Sequence, residues 1–162
     1  MDLEKFKKEA AKAEGAIKGL FSKLRKNPHR NLDDEFQELH EEAFEQIDCL
    51  SCGNCCKTTS PIFYQKDIER VSKHLRITPS KLIEKYLHLD EENDYVVNSA
   101  PCPFLSADNY CSVYDARPTA CREYPHTNRK RVYQIMDLTI KNAQICPAVF
   151  YIFKKLEEKT KV

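Results

Sequence analysis

Eight cysteines carry the chemistry of this chain, and none of them precedes Cys49. Four stand in one run, Cys49-x2-Cys52-x2-Cys55-Cys56. Two residues between cysteines let a single backbone turn aim both sulfurs at one metal. Zinc knuckles and iron–sulfur proteins both use this spacing. Three such sulfurs claim three corners of a tetrahedron or a cubane, and the fourth ligand comes from elsewhere in the fold. Adjacent Cys55 and Cys56 tend to point apart, so one of them is expected to serve a second site or to stay out of the first. The other cysteines, Cys102, Cys111, Cys121 and Cys146, are widely spaced and must be gathered by tertiary structure. Cys102 and Cys146 are each followed by proline, as the last ligand of ferredoxin-type runs often is. Cys146 is also expected at a helix N-terminus, where the dipole favours a thiolate. Eight divides into two sets of four. Two metal centres, filled by zinc or by an iron–sulfur cluster, are the simplest arithmetic, with all eight cysteines as candidate ligands. Thiolate sites accept either group, so the sequence leaves the metal open.

Other polar residues could support such a centre. His126, five residues after Cys121, is the histidine best placed to replace a sulfur. Arg117 and Arg122 could donate hydrogen bonds to thiolates and offset their charge. Binding an anionic ligand, or bridging Asp115 and Glu123, are the competing uses of the two arginines. Arg129-Lys130-Arg131 is a basic patch too short to mark specific nucleic-acid binding, and no aromatic stacking platform accompanies it.

The elements that must position these side chains are mainly helical. Leu3, Phe6, Ala10, Ala13, Ile17, Leu20 and Leu24 step by three and four, and Pro28 ends the stripe. Leu32, Phe36, Leu39, Ala43 and Ile47 form a second stripe, with Asp33 and Asp34 at its start to cap free N–H groups. Residues 1–30 hold nine Lys/Arg against four Asp/Glu, whereas residues 31–48 hold eight Asp/Glu and no Lys or Arg. Opposite charge and two apolar faces predict an antiparallel helical hairpin over residues 1–48. It precedes a metal-organised, cysteine-rich domain over residues 49–162. Within that domain, helices are expected over 66–75, after Thr78-Pro79, and from Cys146-Pro147 onward. Tyr95–Val97 and Tyr110–Tyr114 are expected to pair as a small β hairpin. Residues 131–145 fit either strand or helix. The fold class is therefore mainly α with a small β hairpin.

Composition narrows the function. The 162 residues suffice for one domain and hardly for two. A formal net charge of +1 argues against a strongly basic nucleic-acid binder. The longest apolar run, Ala148 to Phe153, is too short to span a bilayer. No apolar stretch follows Met1, which predicts a cytoplasmic chain whose thiols stay reduced and are used for metal rather than disulfides. Only three glycines are present, so a Gly-rich phosphate loop is not expected.

Cys49-x2-Cys52-x2-Cys55-Cys56, Cys102-Pro103-Phe104-Leu105, Cys111-x2-Tyr114-x2-Arg117-Pro118-x2-Cys121-Arg122-x-Tyr124-Pro125 and Cys146-Pro147 occur in that order. Together they resemble the YkgJ family, a cysteine-cluster family described as a zinc- or iron-chelating domain. The resemblance covers about residues 49–150, with residues 1–48 as an added extension. Its relatives include flagellin lysine N-methylases, which transfer a methyl group from S-adenosylmethionine and are associated with an iron–sulfur cluster. The resemblance therefore implies a metal-binding protein, with an iron–sulfur enzyme or a redox protein as the alternative. Residues 1–48 are the candidate docking surface for a protein partner.

Overall fold

The structure, a computed structural model, describes residues 2–160. In chain order its helices are α1 (Leu3–Lys12), α2 (Glu14–Lys26), α3 (Leu32–Gln46), α4 (Cys49–Cys52), α5 (Asn54–Thr58), α6 (Gln65–Leu75), α7 (Pro79–Tyr86), α8 (Thr119–Glu123), α9 (Met136–Ala143) and α10 (Pro147–Thr160). Three short strands complete it: β1 (Ile62–Phe63), β2 (Leu87–Leu89) and β3 (Tyr95–Val97). The fold is mainly α with a small antiparallel β element. The chain divides into two compact units. One joins residues 1–49 to residues 125–162, and the other is the continuous stretch Leu50–Tyr124.

The first unit is a helical bundle. Asp2 caps α1 by accepting the N–H groups of Glu4 and Lys5, each at 3.0 Å. Both apolar stripes of residues 3–46 are buried, but mainly against C-terminal helices: α2 packs on α9, and α3 on α10. The centre is aromatic. Phe21 lies 6.2 Å from Phe36 and 6.1 Å from Phe153, and Phe6 lies 5.7 Å from Phe150. Helical hydrogen bonds run through Ala13, whose N–H donates to the Glu9 carbonyl at 3.0 Å and whose carbonyl accepts the Ile17 N–H at 2.8 Å. Ile17 is buried as expected, and the 3.6-residue period then turns Phe21 rather than Leu20 inward, leaving Leu20 and Leu24 half-buried. Asp33 does not cap α3 as expected. Its carboxylate accepts the N–H groups of Arg131 at 2.6 Å and Val132 at 3.0 Å, so it caps the short 3₁₀ turn Val132–Ile135 instead. The ambiguous stretch 131–145 is helical, as that turn and then α9.

The second unit holds the sheet, in the order β1-β3-β2. β3 pairs Val96 with Ile62 on one side and with His88 on the other. Tyr95–Val97 is thus a strand, but Tyr110–Tyr114 is not its partner. The latter makes one isolated bridge, Leu105 with Cys111, because a tight turn at 106–110 folds the segment onto its own preceding loop. Phe63, Ile68, Val71, Leu82, Leu87, Val97, Phe104 and Val113 form the core of this unit, and Cys102 and Cys111 pack against it. Thr78 caps α7 through the Lys81 N–H, with Pro79 at the first helical position. Among the described residues no helix is long and apolar enough to cross a membrane.

Candidate metal centre

The CxxCxxCC run forms two short helices. Cys49 and Cys52 are the ends of α4, and Cys55 and Cys56 lie in α5. Gly53 separates them in the left-handed region, at φ 55°. A Cβ there would come within 3.1 Å of the Asn109 Cβ, so glycine permits both the turn and the close approach. Asn109 in turn donates through its side-chain amide to the Ser51 carbonyl at 3.3 Å. The loop that leads to Cys111 is thereby fastened to the cysteine run.

A second fastening brings in Cys102, whose N–H donates to the Cys56 carbonyl at 2.8 Å. The cis bond between Ala100 and Pro101 lies just before it. From Cys102 the chain turns back at once. The Leu105 N–H bonds to the Cys102 carbonyl at 3.0 Å, and Ser112 N–H to the Phe104 carbonyl at 2.8 Å, which sets Cys111 beside Leu105. Cys121 arrives on α8, where its N–H bonds to the Pro118 carbonyl at 3.0 Å.

Four cysteines from four separate segments, Cys56, Cys102, Cys111 and Cys121, thus lie within reach of one another's charge. Burial pushes the Cys102 thiol up to about 11. N–H donors of Phe104 and Leu105 to its sulfur act against that rise, while charge on Cys56 and Cys111 adds to it. Burial pushes the Cys121 thiol up to about 12, and charge on Cys56, Cys102 and Cys111 pushes the same way. The Arg117 guanidinium opposes this only in part. Such thiols hold their protons until a cation displaces them. Two N–H donors to one sulfur are also the support that a ligating thiolate needs. The donor set therefore fits a thiolate-bound metal group. Among the described residues no group of three His, Cys, Asp or Glu side chains stands in a metal-holding arrangement.

The other expected ligands fall as follows. The Cys55 Sγ is 4.0 Å from the Cys56 Sγ. Cys52 is half-buried in the same unit, whereas Cys49 and Cys146 belong to the first unit. Cys146 immediately precedes α10, the helix start expected from Cys146-Pro147. No disulfide joins any of the eight. His126 adopts φ 65° in the loop after α8. Arg117 stacks on the Tyr114 ring at 3.9 Å and donates to the Tyr114 carbonyl at 2.7 Å. Arg122 donates to the carbonyls of Arg117 at 3.2 Å and Asp115 at 3.0 Å. Both arginines thus hold the 114–117 turn that joins Cys111 to Cys121. Sequence reasoning passed over a third arginine, Arg70, and its partner Asp67, which serve the same turn from α6.

A family model, CxxCxxCC, described as "Putative zinc- or iron-chelating domain", matches residues 48–147. The chain belongs to the CxxCxxCC family. That span contains all eight cysteines, so metal binding is the property that the CxxCxxCC family membership and the thiol cluster share. No curated protein and no solved structure matches the chain.

Proposed function

We propose that this protein is a metal-binding module whose centre is built by the thiolates of Cys56, Cys102, Cys111 and Cys121. The carrying observation is the convergence of four cysteines from four segments, with Cys102 tied to Cys56 through the backbone. Zinc or an iron–sulfur cluster suits this donor set, because both take four thiolates and both profit from N–H donors to sulfur. A second centre would start from the remaining sulfurs of the run, Cys52 and Cys55. Eight cysteines without a disulfide suit a reducing compartment such as the cytoplasm. A protein partner that meets residues 1–48 would meet their charged faces, since most of the apolar stripe is buried within the first unit.

Anaerobic purification followed by metal and sulfide analysis tests the proposal. Broad visible absorption with acid-labile sulfide identifies iron–sulfur, and a colourless protein with stoichiometric zinc identifies zinc. Serine at Cys56, Cys102, Cys111 or Cys121 is expected to lower the bound metal in each case. Trace metal only in anaerobic material, or full metal content after two of these replacements, would overturn it.

A further inference from the structure

One carboxylate lies between α6 and the segment that carries Cys121, and its bonding exceeds what its own helix requires. Asp67 is 1% exposed. Its Oδ2 accepts the Tyr64 N–H at 3.0 Å, which completes the cap of α6. Its Oδ1 is spent elsewhere. It accepts both the N–H and the hydroxyl of Thr119, each at 3.0 Å, together with Arg70 at 2.6 Å. Arg70 reaches on to the same segment, donating to the carbonyls of Ala116 at 3.1 Å and Arg117 at 2.8 Å. A single ion pair thus holds the two carbonyls before Pro118 and the N–H after it. Pro118 is buried, and Cys121 follows two residues after Thr119 on a helix of one turn. A helix this short has little rigidity of its own, so the position of the Cys121 sulfur depends on where its first residue is pinned.

We propose that the Asp67–Arg70 pair is the positioning device that sets Cys121 for metal. The inference rests on the four-thiolate reading of the centre. It assigns Asp67 a role through another residue, since nothing places its carboxylate on a sulfur. Removing one partner of a buried charge pair leaves the other without its counter-charge, so replacing Asp67 disturbs the contacts that Arg70 makes. Residues that orient a ligand commonly change metal affinity 10- to 100-fold when replaced.

The experiment uses the full chain with zinc and cobalt(II) as probes. Zinc affinity is read by competition with a chromophoric chelator, and thiolate ligation by the sulfur-to-cobalt charge-transfer band. Asp67→Asn, Cys121→Ser and the double variant form a cycle, with far-UV circular dichroism as the check on folding. Asp67→Asn is expected to weaken zinc binding about 10- to 100-fold and to reduce the cobalt band toward that of Cys121→Ser. In the Cys121→Ser background it is expected to add no further loss. Thr119→Val, which removes one hydroxyl and leaves the ion pair, is expected to give a smaller loss that also vanishes in that background. Wild-type affinity and spectrum in Asp67→Asn, or a loss that adds in full to that of Cys121→Ser, would overturn the positioning role and leave the metal reading intact. A wild-type chain that takes up neither zinc nor cobalt, or that is indifferent to Cys121→Ser, would overturn the metal reading itself.

Discussion

Asp67 shows how one side chain can be read twice, once for geometry and once for protons. Burial raises its proton affinity, but the Thr119 N–H, Arg70, the Tyr64 N–H and the Thr119 hydroxyl together outweigh burial and hold its pKa below the ordinary value of 3.8. A carboxyl depressed in the folded state binds its proton less readily there than in the unfolded chain. Its stabilisation is therefore complete above the ordinary value and is lost as pH falls through the depressed one. Urea unfolding of the metal-free protein across this acid window is expected to show falling stability in the wild type. The Asp67→Asn variant should lack that component of the slope. The cysteine run was legible from spacing alone, yet which of its sulfurs would face Cys102, Cys111 and Cys121 was not. Cys55 and Cys56 are neighbours on one helical turn, and the bond from the Cys102 N–H to the Cys56 carbonyl ties Cys56 to a remote cysteine. Asp67 was equally invisible, since a lone acid near a helix start reads as a cap until its second oxygen is seen to bond elsewhere.

At the scale of the helix, two positions near the middle of α2 make opposite predictions. Phe21 is fully buried between Phe36 and Phe153. Phe21→Ala is expected to cost about 3–5 kcal/mol in denaturant unfolding, from lost transfer energy and the cavity left behind. Gly19 is exposed, with nothing within 4 Å of where a Cβ would stand. Gly19→Ala is expected to add about 0.5–1 kcal/mol, because it removes backbone freedom from the unfolded chain without a clash. Helix existence was readable here from apolar periodicity, and so were the start of α7 at Thr78-Pro79 and that of α10 after Cys146. Phase and partner were less so. The 3.6-residue period placed Phe21 rather than Leu20 on the inward face after Ile17, and the partners α9 and α10 lie about a hundred residues downstream. Strand pairing failed for a similar reason. Tyr95–Val97 found its neighbours in two short segments with no alternation long enough to announce them.

At the scale of the whole chain, the two units differ in what can hold them. The bundle has a continuous aromatic and aliphatic core. The cysteine unit has a smaller one, and its three strands and one-turn helices are short. Metal binding at thiolate sites is coupled to folding free energy, about 10 kcal/mol or more for structural zinc in small domains. Chelation is therefore expected to strip amide-exchange protection chiefly from residues 50–124 while residues 3–46 and 136–160 keep most of theirs. Equal loss in both sets would show that the metal supports the bundle as well.

The bundle is sewn from residues 1–49 and 125–162, and the cysteine unit is the continuous stretch between them. This has a consequence for the order of events on the ribosome. Chains emerge at about 5–20 residues per second, so residues 50–124 can complete their own contacts, and meet metal, before α9 and α10 exist. Meanwhile α1, α2 and α3 wait with their apolar faces uncovered for roughly 5–25 seconds at that pace. Their charged faces are what that unfinished half-bundle presents to water until its closing helices arrive.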